Sequence, residues 1–203
     1  MTKNNREIEA KFFLPELLSI RDHLTSSGAT LSSERVFERN WRFDTHDRRF
    51  GDTGEVLRVR KDIQSYLTYK RPTTIPENRV EIEIEISDAE SATELLLALG
   101  FEVVTIYEKY RETFLYEECL VFLDELPFGH FVEVEGATVE TIRENSVSLG
   151  LNWENRIPKN YLQIFDALRK RLSLNFSDAT FENFSEIDPI SAQDINLKSA
   201  FDA

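Results

Sequence analysis

Charged and apolar residues alternate strictly in several short segments of this chain. Residues 7–12 alternate between charged and apolar side chains. Successive side chains of a strand point to opposite sides, so the three charged ones share one face of an extended segment. They are Glu7, Glu9 and Lys11. The alternation is strictest in Arg79–Ile86, where Glu81, Glu83 and Glu85 share a face. A period of two predicts β-strands at both places.

Further segments extend this pattern into a mixed series of strands and helices. Extended segments are predicted at 29–43, 56–60, 66–70, 101–107, 108–116, 119–124 and 131–135, and helices at 14–28, 87–100, 138–149 and 159–172. Pro15 and Gly28 indicate the two ends of the first helix, and Ser87–Glu90 has the form of a capping box. The polar stretch around Gly51 and residues 71–78 are predicted loops.

Composition adds limits on size, partners and location. The 203 residues are 41% hydrophobic, enough for one main domain, which we place at 1–172. A net charge of −13 argues against nucleic acid and anionic membrane as partners. Cys119 is the single cysteine, no hydrophobic run is long enough to cross a bilayer, and Met1–Asn5 lacks a signal-peptide pattern. We therefore expect a soluble, cytoplasmic protein.

The C-terminal residues 173–203 differ in composition from the main domain. They hold six acidic residues against the single Lys198, with scattered aromatics and no clear period. Such a segment is expected to be an acidic tail that is disordered or loosely docked.

Several predicted strands carry charges of one sign on one face. The residues that share a strand face are Arg58 with Arg60, Thr68 with Lys70, Lys109 with Arg111, and Glu133 with Glu135. Asp124 lies at the end of another predicted strand. One interpretation is the wet face of an ordinary half-buried antiparallel sheet. However, like charges side by side repel, so an all-Glu face needs cations nearby. The alternative is that these faces meet in one enclosed lumen.

A mixed-charge lumen has a definite chemistry. Buried ions are costly unless paired, so the charges would need one another and ligands of both signs. Clustered carboxylates suit Mg²⁺ or Mn²⁺, and clustered Arg and Lys suit phosphate oxygens. The lumen interpretation therefore predicts a site for a metal and a polyphosphate.

These motifs resemble a known family. Glu7-x-Glu9-x-Lys11 resembles the N-terminal ExExK signature of the CYTH proteins, or triphosphate tunnel metalloenzymes. The family's later elements follow in order: Leu57–Arg60, Thr68–Lys70, Arg79–Glu85, Glu108–Arg111, Leu123-Asp124 with Gly129–Glu135, and Lys159–Tyr161. The resemblance covers about residues 5–172. It implies an α+β fold in which an eight-stranded antiparallel β-barrel forms a tunnel, with helices packed outside.

The resemblance also implies roles for individual residues. Predicted phosphate ligands are Lys11, Arg58, Arg60, Lys70, Lys109, Arg111 and Lys159. Predicted ligands of Mg²⁺ or Mn²⁺ are Glu7, Glu9, Asp124, Glu133 and Glu135, with Glu81 and Glu83 as further candidates. Lys11, Arg58 and Glu9 are the predicted catalytic residues. Because Glu85 shares a face with Glu81 and Glu83, the sequence does not decide which of the three glutamates match the family's acidic positions. Lys159 fits equally well as a surface lysine at the start of a helix.

Three functions remain open from the sequence. The favoured one is metal-dependent hydrolysis of inorganic or organic triphosphate. The second is a class IV adenylyl cyclase that converts ATP to cyclic AMP, although the His-Phe pair associated with those enzymes is missing at the N-terminus. The third is a non-catalytic polyphosphate- or nucleotide-binding module. The partner is thus a small triphosphate or ATP, and a homodimer stays open. Cys119 and the three histidines show no catalytic or metal spacing.

Overall fold

Eight antiparallel strands form a closed barrel in the computed structural model, which describes residues 6–74 and 78–202 apart from the side chains of Arg6, Glu7 and Asn78. The strands are β1 (Arg6–Leu14), β2 (Thr30–Asp44), β3 (Val56–Lys61), β4 (Ser65–Pro72), β5 (Asn78–Ile86), β6 (Glu102–Tyr116), β7 (Cys119–Leu126) and β8 (Gly129–Glu135). Their order around the ring is β1-β5-β4-β3-β2-β6-β7-β8. The predicted barrel is therefore confirmed.

The ring closes through β1, which divides its length between two neighbours. Its first three residues pair with β5, with Glu7 opposite Arg79. The rest pairs with β8, where Glu9 lies opposite Glu135 and Lys11 opposite Glu133. This register brings charged faces predicted separately from the sequence to one wall of the barrel.

Six α-helices are found among the described residues. They are α1 (Leu18–Ser26), α2 (Arg49–Thr53), α3 (Ala89–Ala98), α4 (Val139–Ser148), α5 (Tyr161–Leu172) and α6 (Ala192–Ile195), with one 3₁₀ turn at Trp153–Asn155. Asp88 caps α3 by accepting a hydrogen bond from the Ser91 amide, and a full capping box at Asn160 begins α5. No described helix is long and apolar enough to span a bilayer.

The helices cover much of the apolar outer surface of the strands but leave Ile82 and Ile84 of β5 about half exposed, and the charged faces point inside. Phe12, Val132 and Val134 pack against α1 and α4 through Leu24 and Ile142. A second cluster joins β2 and β3 to α2 and α3. A third, rich in phenylalanine, packs α5 against one end of the barrel. The alternation in the sequence thus places apolar side chains on the outside of the barrel and polar side chains in its interior.

Three predicted elements differ from the observed ones. The first helix begins at Leu18, because Leu14 still pairs with His130 as the last residue of β1. Residues 102–116 form one continuous strand, since β2 pairs along its whole length with three register shifts. The predicted loop around Gly51 contains α2, whose amides at Phe50 and Gly51 donate to the buried Asp44 carboxylate.

The C-terminal segment also differs from the expected disordered or loosely docked tail. The Ala179 amide donates to Ile106 O at 2.8 Å, and the Ala200 amide donates to Phe13 O at 2.8 Å. Ala179, Phe184, Ile195 and Ala200 are buried. The apolar residues of the tail occupy separate sites on the barrel end, and such docking leaves no periodic pattern in a sequence.

Candidate functional site

A cavity of about 690 Å³ occupies the barrel interior and carries charges of both signs. All predicted phosphate ligands line it: Lys11, Arg58, Arg60, Lys70, Lys109, Arg111 and Lys159. Of the predicted metal ligands, Glu9, Glu81, Glu83, Glu133 and Glu135 line it. Glu85 is exposed and does not line the cavity, whereas Glu81 and Glu83 on the same strand do. The side chain of Glu7 lies outside what the structure describes.

The wall formed by β1 and β8 combines a lysine with carboxylates. Lys11 Nζ donates a hydrogen bond to Glu133 Oε1 and lies 3.7 Å from Glu9 Oε1. Burial disfavours the ammonium charge, but Glu133 and Glu9 outweigh burial and raise the pKa of Lys11 to about 12. The pKa of Glu133 is held well below its usual range because Lys11 and Arg111 outweigh its own burial. Both groups are therefore charged at neutral pH.

Asp124 is the most enclosed carboxylate and does not line the cavity. It is 0% exposed and accepts hydrogen bonds from Lys109 Nζ at 3.0 Å, Arg111 Nε at 2.6 Å and the Tyr161 hydroxyl at 2.7 Å. Tyr161 comes from α5, so this carboxylate joins the helix to the basic face of β6. In this arrangement Asp124 orients two predicted phosphate ligands. To bind a metal as predicted, the Asp124 carboxylate would have to give up some of these hydrogen bonds in exchange for the metal.

Glu38 on β2 is a site residue that sequence reasoning missed. It is 4% exposed, and its carboxylate lies 3.6 Å from Lys109 Nζ and 3.9 Å from Arg111 Nε. Burial opposes its charge, but Lys109 and Arg111 outweigh burial and lower the pKa of Glu38 to about 2. The signal was present, since Glu38, Asn40 and Arg42 alternate within the segment predicted as extended.

A second charged wall runs across β3, β4 and β5. Glu83 lies 3.7 Å from Arg58 and 3.6 Å from Arg60, and it accepts a hydrogen bond from Thr68 Oγ1 at 2.8 Å. Lys70 and Glu81 pair at 3.3 Å in the next row. Burial opposes the charge of Arg58, yet Tyr107, Glu38 and Glu83 raise its pKa above the ordinary value. Arg58 and Arg60 thus share Glu83 as an acidic partner.

The interior contains further polar residues that the sequence did not single out. Tyr107 lines the cavity and accepts a hydrogen bond from Arg58 Nη1 at 3.2 Å. Both side-chain amide atoms of the fully buried Asn40 lack a hydrogen-bond partner among the described residues. Arg42, Arg79 and Arg156 line the cavity as well. The basic lining is therefore larger than the predicted set.

The carboxylates fit a hard divalent cation in chemistry and register. Glu9 and Glu135 are cross-strand neighbours, with Glu133 two residues along β8, and all three line the cavity. Carboxylate oxygens are the donors that Mg²⁺ and Mn²⁺ prefer. Within residues 6–74 and 78–202, no three His, Cys, Asp or Glu side chains are already close enough to hold one ion. A metal would therefore take carboxylate oxygens that now face lysine and arginine.

The residues discounted in the sequence lie away from the cavity. Cys119 is buried at the start of β7 and receives a hydrogen bond from Asn145 at 3.3 Å, and burial raises its thiol pKa. His46 is exposed and contacts Glu102 on the surface. His130 contacts the Pro15 carbonyl at the other end of β1.

Known proteins share this fold and sequence pattern. A candidate adenylate cyclase from Methanocaldococcus jannaschii is 29% identical over 171 residues, which are 78% of this chain and 97% of the relative. The structure of a candidate adenylate cyclase from Vibrio parahaemolyticus has a TM-score of 0.74 at 22% identity, covering 81% of this chain and 100% of that one. A candidate adenylyl cyclase from Hippeastrum, described as having a dominant triphosphatase activity, has a TM-score of 0.53 at 21% identity, covering 70% and 83%.

The family assignment rests on sequence as well as on the barrel. The CYTH domain model matches residues 5–148, from the start of β1 to the end of α4. This range contains the β1–β8 wall and the basic faces of β3 and β6. The chain therefore belongs to the CYTH domain family.

Proposed function

We propose that this protein is a divalent-metal-dependent triphosphatase that hydrolyses inorganic triphosphate or a small organic triphosphate. The observation that carries the proposal is the pairing of opposite charges inside one cavity. Lys11 with Glu133, and Arg58 with Glu83, are lumen pairs that a polyanion and a cation together would replace without net loss of charge balance. A ligand of only one sign would leave half of these groups unpaired.

The basic groups are suited to holding phosphate oxygens. The raised pKa values of Lys11 and Arg111 keep both groups cationic throughout the physiological pH range. Arginine adds forked contacts that fix the direction of a phosphate group. Because phosphoryl transfer depends on positioning and charge neutralisation, these residues would stabilise the charge that develops on the leaving pyrophosphate.

The acidic groups are suited to holding the metal. Glu9, Glu133 and Glu135 would bind Mg²⁺ or Mn²⁺ at the β1–β8 wall, with Glu7 as a predicted fourth donor. When bound, such a metal neutralises phosphate charge and increases the acidity of a water molecule. Lys11, released from Glu133, would then turn to a phosphate oxygen. Asp124 would keep Lys109 and Arg111 aimed into the cavity.

Adenylyl cyclase activity is the second candidate. The name of the Methanocaldococcus relative favours it, and both reactions require the same triphosphate contacts. They differ in the attacking group, which is water in hydrolysis and the ribose 3′-hydroxyl in cyclisation. We place hydrolysis first because the described lining residues offer many phosphate contacts and show no defined pocket for an adenine base.

Product analysis separates the candidate functions. The protein is incubated with inorganic triphosphate or ATP, plus Mg²⁺ or Mn²⁺, and free phosphate, pyrophosphate and cyclic AMP are quantified. We expect inorganic triphosphate to give phosphate and pyrophosphate in equal amounts, and ATP to give free phosphate with little cyclic AMP. Cyclic AMP as the main product would overturn the order of the two reactions. Tight triphosphate binding with no turnover would instead support the binding-module alternative.

A single substitution tests the metal wall. Glu9→Gln removes one predicted metal donor, so we expect turnover to fall to background while far-UV circular dichroism stays unchanged. Glu85→Gln is the matched control, because Glu85 lies exposed on β5. It should turn over substrate at the wild-type rate. Wild-type activity in the Glu9 variant would remove this carboxylate from the site.

A further inference from the structure

The last part of the chain attaches to the barrel at two strand edges that have no neighbouring strand. We call residues 174–202 the C-terminal strap. β7 pairs with only the later part of β6, so the earlier part of β6 has a free edge that needs hydrogen-bond partners. The strap supplies them, since the Ile106 amide donates to Asp178 Oδ1 at 2.8 Å and the Glu108 amide donates to the Ala179 carbonyl at 3.0 Å.

The second attachment is at β1. β8 pairs with one edge of its later part, whereas β5 pairs with only its first three residues. The remaining edge is covered by two backbone amides. The Ile157 amide donates to the Lys11 carbonyl at 2.7 Å, and the Ala200 amide of the strap donates to the Phe13 carbonyl at 2.8 Å. The strap and the loop before α5 therefore take the place of a neighbouring strand beside Lys11.

The end of the strap is bonded to the loop that leads into the cavity wall. Asn155 Nδ2 donates to the Ser199 carbonyl at 2.9 Å and to the Asp202 carbonyl at 2.8 Å. The residues that follow this loop, 156–162, all line the cavity. The strap thus borders the site, although its own residues do not line it.

Between its two attachments the strap packs against α5. Phe165 of α5 lies with its ring centroid 6.3 Å from that of Phe176 and 6.0 Å from that of Phe184, both in the strap. On the barrel side, the same ring stacks on Phe128 of the β7–β8 turn at 5.9 Å. Phe184 and Ile195 of the strap are buried. The helix is therefore held between the barrel and the strap.

The first residue of α5 is Tyr161, which reaches the charged cluster in the cavity. Its hydroxyl donates to Asp124 Oδ2 at 2.7 Å. The Lys11 Nζ atom lies 4.1 Å from the centroid of its ring, and the Lys109 Nζ atom lies 5.4 Å from it, within the range of cation–π attraction. A shift of the helix would therefore break contacts with two lysines and a carboxylate at once.

We propose that the C-terminal strap positions Tyr161 against Lys11 and Lys109 by holding α5 on the barrel, and that release of the strap withdraws the tyrosine from this cluster. The strap lies outside residues 5–148, the part of the chain that the CYTH domain model matches. It is thus a positioning device added to the barrel by the C-terminal region. The inference goes beyond the proposed function, because it does not depend on which reaction the cluster performs.

Breaking one attachment and observing the other tests this proposal. Asp178→Ala removes the acceptor for a β6 amide, and hydrogen exchange of the full-length protein is then followed at the amides of Ala200 and of Ile164 in α5. We expect both amides to exchange about fivefold faster or more, the effect of losing one hydrogen bond from a unit that opens as a whole. Asp188→Ala is the matched control, because Asp188 lies exposed on the same strap. Its exchange should equal that of the wild type.

A spectroscopic signal from Tyr161 separates positioning from a purely structural role. The protein is labelled with meta-fluorotyrosine, and the fluorine resonance of Tyr161 is identified by its loss in Tyr161→Phe. In Asp178→Ala this resonance should move towards its position in the unfolded protein, whereas in Asp188→Ala it should stay in place. An unchanged Tyr161 resonance, or unchanged exchange at Ile164, would overturn the proposal.

A second variant breaks the other attachment. Asn155→Ala removes both hydrogen bonds to the end of the strap, and it replaces Asp178→Ala if that variant does not fold. It should speed exchange at the distant Ala179 amide by a similar factor and move the Tyr161 resonance in the same direction; if Ala179 exchanged at the wild-type rate, the strap would not act as one unit. These measurements use no substrate, so a lack of triphosphatase activity would refute the proposed function and leave the test of the strap intact.

Discussion

Asp124→Asn is the sharpest test of the charge network that joins α5 to the barrel. The carboxylate is 0% exposed and receives bonds from Lys109, Arg111 and Tyr161. Asparagine preserves its shape but removes the negative charge and replaces one acceptor oxygen with an NH₂ donor. That donor would face three other donors, and the two cations would lose their shared counter-charge.

The size of the effect follows from this geometry. Removing one partner of a buried ion pair costs about 3–5 kcal/mol, because the other charge stays buried and uncompensated. In a chain of 203 residues, each kcal/mol shifts the melting temperature by about 2–4 °C. We therefore expect the melting temperature of Asp124→Asn to fall by roughly 6–20 °C. Urea unfolding at pH 7, followed by far-UV circular dichroism, measures the free energy directly.

An exposed aspartate on α5 provides the control. Asp166 pairs with Arg169 at 3.1 Å and Lys170 at 2.6 Å on the helix surface. Exposed pairs of this kind contribute less than about 1 kcal/mol, so Asp166→Asn should unfold close to the wild type. If Asp124→Asn lost no more stability than the control, the buried network would not hold α5 in place.

Two further predictions concern acid stability and the C-terminal segment. The pKa of Glu38 falls from 4.5 to about 2 on folding, so its contribution of about 3 kcal/mol is present above pH 5 and lost as the pH falls towards 2. Urea unfolding between pH 7 and pH 3 should show this loss, and Glu38→Gln should flatten the curve; a parallel curve would contradict the assignment. Phe184→Ala empties a buried site against Phe128 and should cost about 3 kcal/mol. An unchanged melting temperature would mean that the packing of Phe184 contributes nothing to stability.

The charged faces were predictable because alternation is a local property. Once residues 6–12 and 79–86 are written as strands, the shared faces follow from the geometry of the backbone. The same rule extended to β2 would have found Glu38 and Arg42, since both lie on one face with Asn40. They were missed because that face mixes an acid, an amide and a base, and so lacks the single sign that marked the other strands.

The docking of distant segments could not be predicted in this way. The bond between Tyr161 and Asp124 joins residues 37 positions apart, and no local pattern specifies it. The contacts of Ala179 with β6 depend on backbone groups, which are the same for every residue type. Propensity and periodicity describe single elements, whereas these contacts depend on where elements meet in space.

The way in which β1 closes the ring has a consequence for folding. β1 is synthesised first, but its main partner is β8, and the bonded residues Lys11 and Glu133 are 122 positions apart. Until β8 has emerged, the growing chain holds an open sheet with unpaired edges, and closure through such distant contacts is slow. Inward-pointing charges are a recognised protection against edge-to-edge aggregation. We therefore expect the residues that hold phosphate in the finished barrel to keep its unfinished form soluble.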